Sequence, residues 1–344
     1  MDYLVDEVLQ RQPEPVRSFL LQTAILDRLN GPLCDAVTGQ ADGAARLEAL
    51  HRGNFFVVPL DDTRQWYRYH HLFAEVLAAQ LRVEQPDQVA VLHRRASAWY
   101  EQHDSPADAI RHALAARDFE RAAGLVELAL PAMRRNRQEA TLLDWFKALP
   151  DEMVRRRPVL STVYAHVLLA GGELAGVEDR LRDAERWLET SADTRAPSDA
   201  PAAEMVVVDD EAFRRLPGEI AVARAGQALG RGDVPATVAY ARRVLDLAPA
   251  DDHLSRGGAA GFLGLAAWTN GDLERAHRTF AEGMAHLQMA GNIPDTIGAH
   301  SSWPIYGSRK VVSARPCAPM SGDCSLRWRR ARLYCGERRT CTSE

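Results

Sequence analysis

"GDVPATVAYARRVLDLAP" (232–249) and "GDLERAHRTFAEGMAHLQMAGN" (271–292) are the stretches that decide the fold of this chain. Each begins with a Gly-Asp turn, places an alanine soon after it, and continues with apolar residues at helical spacing. The two turns lie 39 residues apart, inside the range of stacked helix-hairpin repeats. Because one hairpin cannot bury its apolar face alone, the pattern predicts an α-α superhelix. Two further stretches share the design: "RDFERAAGLVELAL" (117–130) and "GELAGVEDRLRDAERWL" (172–188).

The composition of the 344 residues favours helix throughout and indicates a mainly α protein. Hydrophobic residues make up 46% of the chain, and its only lysines are Lys147 and Lys310. No stretch reaches 18 uncharged apolar residues, and the N-terminus lacks the basic start and apolar middle of a signal peptide. We therefore expect a cytoplasmic protein that does not interact with membranes. Residues 301–344 carry nine basic and three acidic residues, whereas the whole chain has a net charge of −5. Residues 1–300 are therefore acidic overall and lack the basic surface that nucleic-acid binding needs.

The N-terminal part predicts a winged helix over residues 14–85, preceded by a connecting helix within residues 1–13. Two short β-rich segments separated by polar residues are typical of a hairpin. The expected elements are helices over 2–12 and 15–29, a third helix ending at Gly53, a hairpin of "FFVVPL" (55–60) and "WYRYH" (66–70), and a helix over 71–81. Residues 86–157 are then predicted to be a helical connector, and residues 190–219, rich in proline, alanine and acidic residues at their start, a long insertion between helices.

The sequence predicts no catalytic, cofactor-binding or metal site, and hence no enzyme. It contains no glycine-rich phosphate loop, nucleophile elbow, H-E-x-x-H motif or paired C-x-x-C. His70 and His71 are candidate metal ligands, but neighbours on a helix diverge by about 100° and cannot share one ion. Structural roles are favoured, with one of these side chains packed and the other hydrogen-bonded.

Aromatic residues and basic runs are the remaining candidates for nucleic-acid binding. Residues 16–85 contain seven arginines and eight acidic residues, too little positive charge for a phosphate backbone. The basic runs "MRRNR" (133–137) and "VRRRP" (154–158) are typical of solvated helix faces or helix C-termini. We therefore expect core roles, rather than base stacking, for four aromatic residues: Trp66, Tyr67, Tyr69 and Phe73.

Three stretches resemble, in order and spacing, the middle of the large ATP-dependent LuxR-type transcriptional regulators, the MalT-like group. These are "FLLQTAILDRLNGPLCDAVTG" (19–39), "LEALHRGNFFVVPLDDTRQWYRYHHLFAEVLAAQL" (47–81) and "LHRRASAWYEQHDSPADAIRHALAARDFERAAGLVE" (92–127). The similarity extends over about residues 2–299, and "WYRYHHLF" is its most specific piece. It implies a signal-transducing NTPase, a winged helix that regulates it, a helical connector, an inducer-binding superhelix and a DNA-binding helix-turn-helix. The NTPase motifs and the terminal helix-turn-helix match no residue here, which predicts a truncated central fragment.

The last residues raise a separate question, because Cys317, Cys324, Cys335 and Cys341 all lie there. A zinc site is one interpretation, although the spacing lacks the close C-x₂₋₄-C pairs of structural zinc sites. A basic nucleic-acid arm is a second. A third is that residues 300–344 are read out of frame: shifting the frame yields a hypothetical peptide whose "GRLREA" falls about 40 residues after "GDLERA", in register with the repeat. The third is favoured, and it predicts a disordered tail and an uncapped superhelix.

Together these features predict a winged helix followed by a tetratricopeptide-like superhelix over residues 158–299. The predicted function is a signal-sensing region of a transcriptional regulator, which binds a small-molecule effector or a protein partner on the repeats and needs no cofactor. This fragment alone is not expected to hydrolyse ATP or bind specific DNA, and its uncapped end predicts self-association. Two alternatives remain: a free-standing repeat adaptor, and a winged-helix DNA-binding repressor with a basic C-terminal arm.

Overall fold

The computed structural model describes residue 9, residues 11–192 and residues 205–292. Within these ranges the chain is mainly helical, and its strands form a two-stranded antiparallel sheet. The predicted mainly α class with a small hairpin is confirmed. Most of the predicted helix 2–12, and the whole of the predicted tail 300–344 with its four cysteines, lie outside the described residues.

The first part of the described chain has the order helix, helix, helix, hairpin, helix. The strands pair with Val57 opposite Tyr69 and Pro59 opposite Tyr67, and the backbone of Tyr67 also exchanges two hydrogen bonds of 2.8 Å with that of Leu29. Leu29 therefore lies beside the second strand and extends the sheet by one antiparallel residue pair. The elements are α1 (Glu14–Thr23), α2 (Gly31–Thr38), α3 (Gly43–Arg52), β1 (Val57–Pro59), β2 (Tyr67–Tyr69) and α4 (His71–Glu84).

The predicted single helix over 15–29 is wrong, because the structure divides this region. Helix α1 ends at Thr23, and Leu29 is extended so that its backbone can pair with Tyr67. Asn30 then starts α2, accepting a 2.8 Å hydrogen bond from the backbone of Leu33. The Asn-Gly-Pro sequence at this point is an N-cap followed by a proline in the first turn, a typical start of a new helix.

Eleven further described helices continue the chain. Helices α5 and α6 form an antiparallel pair, and α7 packs against α6. In order they are α5 (Pro86–Gln102), α6 (Pro106–Ala115), α7 (Phe119–Arg135), α8 (Glu139–Ala148), α9 (Asp151–Arg155), α10 (Pro158–Ala170), α11 (Val177–Ala192), α12 (Asp210–Gly230) and α13 (Val234–Leu247), followed by the last hairpin, α14 (His253–Thr269) with α15 (Leu273–Met289).

Helices α10–α15 stack in two layers. Helices α10, α12 and α14 contact one another in succession and form the first layer. Helices α11, α13 and α15 form the second layer, and each packs against a helix of the first. The chain thus alternates between layers, as expected when each hairpin buries its apolar face against the next.

A recurring turn links helices of the stack, and it explains the Gly-Asp pattern. Gly232 and Gly271 have φ angles of 78° and 81°, a left-handed conformation that favours glycine. The next residue, Asp233 or Asp272, donates its N–H to a carbonyl of the preceding helix at 2.9 Å. Its side chain then accepts a hydrogen bond from the new helix, at 2.9 and 3.0 Å respectively. One dipeptide therefore ends a helix and caps the next.

The predicted insertion over 190–219 is too long at both ends. Helix α11 continues to Ala192, and α12 begins at Asp210. Asp209 caps α12 by accepting hydrogen bonds from the backbones of Glu211 and Ala212, at 2.9 and 3.1 Å. Pro217 lies inside this helix, although prolines are rare in helix interiors.

Candidate functional site

The face of the winged helix that reads DNA in other proteins carries little free positive charge. In helix-turn-helix units the second helix enters the major groove, and here this helix is α3. Each of its two arginines forms an ion pair with the acidic residue four positions earlier: Arg46 with Asp42 at 2.8 Å and Arg52 with Glu48 at 3.3 Å. The helix therefore offers phosphate groups no net charge, which agrees with the expectation from composition.

The tip of the hairpin is held together by hydrogen bonds to a carboxylate, which does not favour anion binding. Asp61 accepts hydrogen bonds from the Thr63 hydroxyl at 2.6 Å and from the backbones of Gln65 and Trp66 at 3.0 and 2.7 Å. These bonds, that of Thr63 first, lower the pKa of Asp61 and keep it charged. A fixed carboxylate at the tip disfavours a phosphate backbone.

The candidate aromatic residues lie mainly in the core, as predicted. Tyr67, Tyr69 and Phe73 are buried, and the Tyr69 hydroxyl makes a 2.7 Å hydrogen bond with that of Thr23. Trp66 is partly exposed, and the guanidinium of Arg28 lies 5.3 Å from its ring centre. None of the four offers an open stacking surface of the kind that single-stranded nucleic acid needs.

His70 and His71 differ from their prediction. Both side chains are exposed, and their rings lie 4.5 Å apart. His70 immediately precedes α4 and His71 is its first residue, so the two do not sit on adjacent helical positions. The expected packed role is therefore wrong, and the hydrogen-bonded role stays a prediction. In the described ranges no group of three or more His, Cys, Asp or Glu residues could hold a metal ion.

The two basic runs are used for ion pairs between helices, which sequence reasoning did not predict. Arg157 is only 4% exposed and pairs with Glu120 at 3.0 Å and with the buried Glu127 at 3.3 Å. The second Glu127 oxygen accepts a 3.0 Å hydrogen bond from the backbone of Val208. Burial raises the pKa of Glu127, against the Val208 hydrogen bond and the charge of Arg157. This cluster, which we call the Glu127 clamp, joins residues 205–209 to α7 and to the start of α10.

A second buried polar cluster joins the winged helix to the next helices. His93 and His112 are 2.7 Å apart between their Nδ1 atoms, and the Tyr100 ring stacks on His112. Arg111 donates to His112 Nε2 at 3.3 Å, so His112 carries its proton on Nδ1 and donates it to His93. Burial lowers the pKa of His93 to about 4 and that of His112 to about 3, and Arg111 adds to both shifts. Arg111 also pairs with Asp27 of the winged helix at 3.0 Å.

The best candidate binding site is a cavity of about 200 Å³ beside the first layer of the stack. Its walls come from α7, α8, α10 and α14 together with the turn after α15, so residues far apart in sequence meet there. The apolar lining is Leu142, Val163, Val167, Ala170 and Leu254, and the polar lining is Arg134, Arg137, Glu139, His166 and Asn292.

The polar side of the cavity is held in place by α12. Arg134 pairs with Glu219 at 2.8 Å, and His166 Nε2 lies 3.1 Å from the Glu219 carbonyl oxygen. Burial opposes ionisation of Glu219, but Arg134 outweighs it and the pKa of this carboxylate is lowered. Burial, with Arg134, lowers the pKa of His166 to about 4. His166 is therefore neutral at pH 7, with its proton on Nε2 and a lone pair on Nδ1.

These side chains are suited to binding rather than to chemistry. Both arginines of the cavity have acidic partners, since Arg137 pairs with Glu139 at 2.8 Å, and the lining is close to neutral. The one described cysteine, Cys34, is buried in the winged helix, and burial raises the pKa of its thiol. None of the described helices is long and apolar enough to cross a membrane.

Comparison with known proteins identifies the class of the first domain. Residues 5–89 match the family model of the MalT winged helix domain. The order of elements and the hairpin described above agree with this match, and the predicted winged helix is confirmed. The chain therefore contains a winged helix domain of the MalT type.

Longer relatives share more of the chain than this domain. Serine/threonine-protein kinase PknK of Mycobacterium tuberculosis is 37% identical over 221 residues, which are 62% of this chain and 20% of the kinase. PknK of Mycobacterium bovis gives the same identity and coverage. The chain thus spans about a fifth of the length of the curated relatives it matches.

Proposed function

We propose that this chain is a signal-sensing region of a MalT-like, LuxR-type transcriptional regulator or a related signalling protein. In this proposal the helical stack binds a small effector or a partner. The winged helix then passes the signal on through contacts with another protein domain. The observation that carries the proposal is the cavity, because it collects an apolar wall, a neutral histidine and two paired arginines from separate helices. Movement between these helices would change its shape.

The size of the cavity limits what it takes. Sites for drug-sized ligands are about 300–1,000 Å³, and about 200 Å³ is smaller than this. A metabolite of modest size or a single side chain of a partner protein fits the volume better than a nucleotide does. The near-neutral lining favours a polar ligand without net charge over a strong anion.

The name of the mycobacterial relatives supports the signalling part of the proposal. One comparison relates this chain to a serine/threonine-protein kinase, and another relates its first part to a MalT-type domain. A region that occurs in such different proteins is suited to pass a signal to whichever domain is attached to it. We propose that this chain itself is not an enzyme and works as a tetratricopeptide-like sensor or adaptor. The alternative of a DNA-binding repressor is disfavoured by the paired arginines of α3.

A thermal-shift screen of the purified chain against sugars, amino acids and organic acids tests the proposal. A ligand that binds in the cavity should raise the melting temperature, and Ala170→Phe at its edge should abolish that shift. Arg135→Ala, on the exposed side of α7, is the matched control and should leave the shift unchanged. If a ligand binds equally well to Ala170→Phe, the cavity is not the site.

Two further measurements separate the alternatives. Capture of a defined protein partner, weakened by Ala170→Phe, would favour the adaptor. A salt-dependent shift of a 30-base-pair duplex would favour the repressor. ATP hydrolysis above background would contradict the non-enzymatic part of the proposal.

A further inference from the structure

A second pair of histidines lies at one end of the last described hairpin. His253 is the first residue of α14 and His286 belongs to the last turn of α15. Their Nδ1 atoms are 3.2 Å apart, and their rings are tilted by 31° with centres 5.4 Å apart. Both side chains are partly exposed, so an ion from solvent can reach them, whereas His112 of the other pair is fully buried.

The separation of the two nitrogens suits a shared metal ion. Zinc binds imidazole nitrogen at about 2.0–2.1 Å, so two such ligands lie about 3.4 Å apart in a tetrahedron. The same bond length gives about 2.9 Å between neighbouring positions of an octahedron. The observed 3.2 Å lies between these values. The same distance allows one ring to donate its N–H to the other, and a bound ion would replace that hydrogen bond.

The charged groups around the pair permit a cation. A neutral imidazole offers one nitrogen lone pair, which is what a metal ion needs from each ring. The Arg256 guanidinium donates to the carbonyl oxygens of Leu245 and Ala248 at 3.3 and 3.2 Å, which engages it with the end of α13. Two carboxylates flank the pair in sequence. Glu282, one turn before His286, is exposed.

The second carboxylate is that of Asp252, the residue before His253, which is 4% exposed. Its Oδ1 caps α14 by accepting a hydrogen bond from Ser255 at 3.1 Å. Its Oδ2 is buried and has no hydrogen-bond partner among the described residues. A buried carboxylate oxygen without a donor leaves negative charge uncompensated on this side of the hairpin, which favours a nearby cation.

We infer that His253 and His286 form a binding site for a late first-row divalent cation such as Zn²⁺, held by the two Nδ1 atoms. Imidazole is a preferred ligand of zinc, nickel and copper ions. Because no third protein ligand is in place among the described residues, water fills the other positions unless Glu282 turns toward the ion. Such an open site exchanges its metal. The ion would fasten the start of α14 to the end of α15 and so stabilise this hairpin.

Titration of the chelator-treated full chain with ZnCl₂, followed by calorimetry and by thermal melting, tests the inference. One zinc ion per chain should bind at this site and raise the melting temperature. His286→Gln and His253→Gln should each weaken binding about tenfold or more, since loss of an outer-shell partner alone costs that much. His71→Gln is the matched control, and it removes an exposed histidine from the winged helix without affecting this ion.

A measurement without variants guards against misfolding. Electron paramagnetic resonance of Cu²⁺ added at one equivalent should show hyperfine coupling to two imidazole nitrogens. Zinc affinity that is unchanged in both His253→Gln and His286→Gln, with the cysteines blocked by iodoacetamide, would overturn the inference. So would the absence of any binding by the wild-type chain at 1 equivalent and at tenfold excess of zinc, or coupling to a single nitrogen.

Discussion

The winged helix and the last hairpins bury different kinds of core. The winged helix encloses large side chains, among them Phe19, Phe73 and Leu77, each at most 1% exposed. Between α12, α13 and α14 the separate core consists almost entirely of small residues: Ala221, Ala225, Ala241, Val244, Ala248 and Ala259. A buried Phe or Leu contributes about 1.5–3 kcal/mol and an alanine much less. The winged helix is thus stabilised mainly by its own core of large side chains, whereas each hairpin depends on close packing against the neighbouring helices.

The largest expected effect tests the first half of this comparison. Phe73→Ala should lower the free energy of unfolding by about 3–5 kcal/mol, because it leaves a cavity among aromatic rings. Phe73 contacts the rings of Phe55, Phe56 and Tyr69. Urea unfolding followed by circular dichroism measures the change. Leu72→Ala, next in sequence but 52% exposed, should cost less than about 0.5 kcal/mol. Equal effects of the two substitutions would break the comparison.

Acid should affect the helices before α12 more than the last hairpins. The folded pKa values of His93, His112 and His166 are lowered to about 4, 3 and 4, against 6.5 when unfolded. As pH falls below about 6.5 the unfolded chain takes up protons that the folded chain does not, so stability present above that pH is lost. Allowing for partial exposure and coupling, we expect about 1 kcal/mol per histidine between pH 6.5 and 5.

Urea midpoints between pH 7.5 and 5 measure this loss. His166→Gln should reduce the slope of stability against pH, and His103→Gln, at an exposed position, should not. An unchanged slope in His166→Gln would show that this residue is not held neutral in the folded protein.

The close approach of the last hairpin makes it sensitive to added volume. A Cβ atom at Gly264 would lie 3.0 Å from the Phe280 ring, so Gly264→Val should cost about 1–3 kcal/mol by overpacking. Gly261, one turn away, has nothing within 4 Å of such an atom. Gly261→Ala should therefore stabilise the helix by about 0.5–1 kcal/mol. Thermal melts of the pair measure both signs, and a stabilising Gly264→Val would contradict this account of the packing.

The smallest expected effect concerns the recurring turn. Asp233→Ala removes the cap of α13 and should cost about 1 kcal/mol. Asp246→Ala, at an exposed position of the same helix, should change stability by less than about 0.5 kcal/mol. Hydrogen exchange should locate the loss at the first turn of α13, near Ala236, whose N–H the cap accepts. Protection that is unchanged there would show that the cap contributes nothing.

Local patterns predicted most of the fold, and non-local contacts account for what they missed. The hairpin and α4 followed from periodicity and turn residues, and the Gly-Asp turns from two repeats in register. The break between α1 and α2 was missed because Leu29 is extended by its pairing with Tyr67, a contact across 38 positions. The start of α12 was missed because the prediction extended the proline-rich composition at the start of 190–219 to the whole stretch, although Asp209 is a recognisable cap.

The candidate site could not be predicted at the level of residues. Arg134, His166 and Glu219 come from three helices, and they meet only through the packing of those helices. The basic runs carried a usable signal, because "VRRRP" precedes a nearly uncharged α10 and an arginine beside such a helix needs a buried partner. The histidine pairs at 93 and 112 and at 253 and 286 lie 19 and 33 residues apart, and no local spacing indicates them.

The Glu127 clamp has a consequence for how this chain tolerates change in length. The backbone of Val206 donates to the Arg156 carbonyl oxygen at 2.9 Å, and that of Val208 to Glu127 at 3.0 Å. These two hydrogen bonds hold the backbone in place just before α12 begins. The position of that helix therefore does not depend on the number of residues between Ala192 and residue 205. A label or a foreign domain inserted between Ala192 and residue 205 is therefore expected to leave α12 and the helices after it in position.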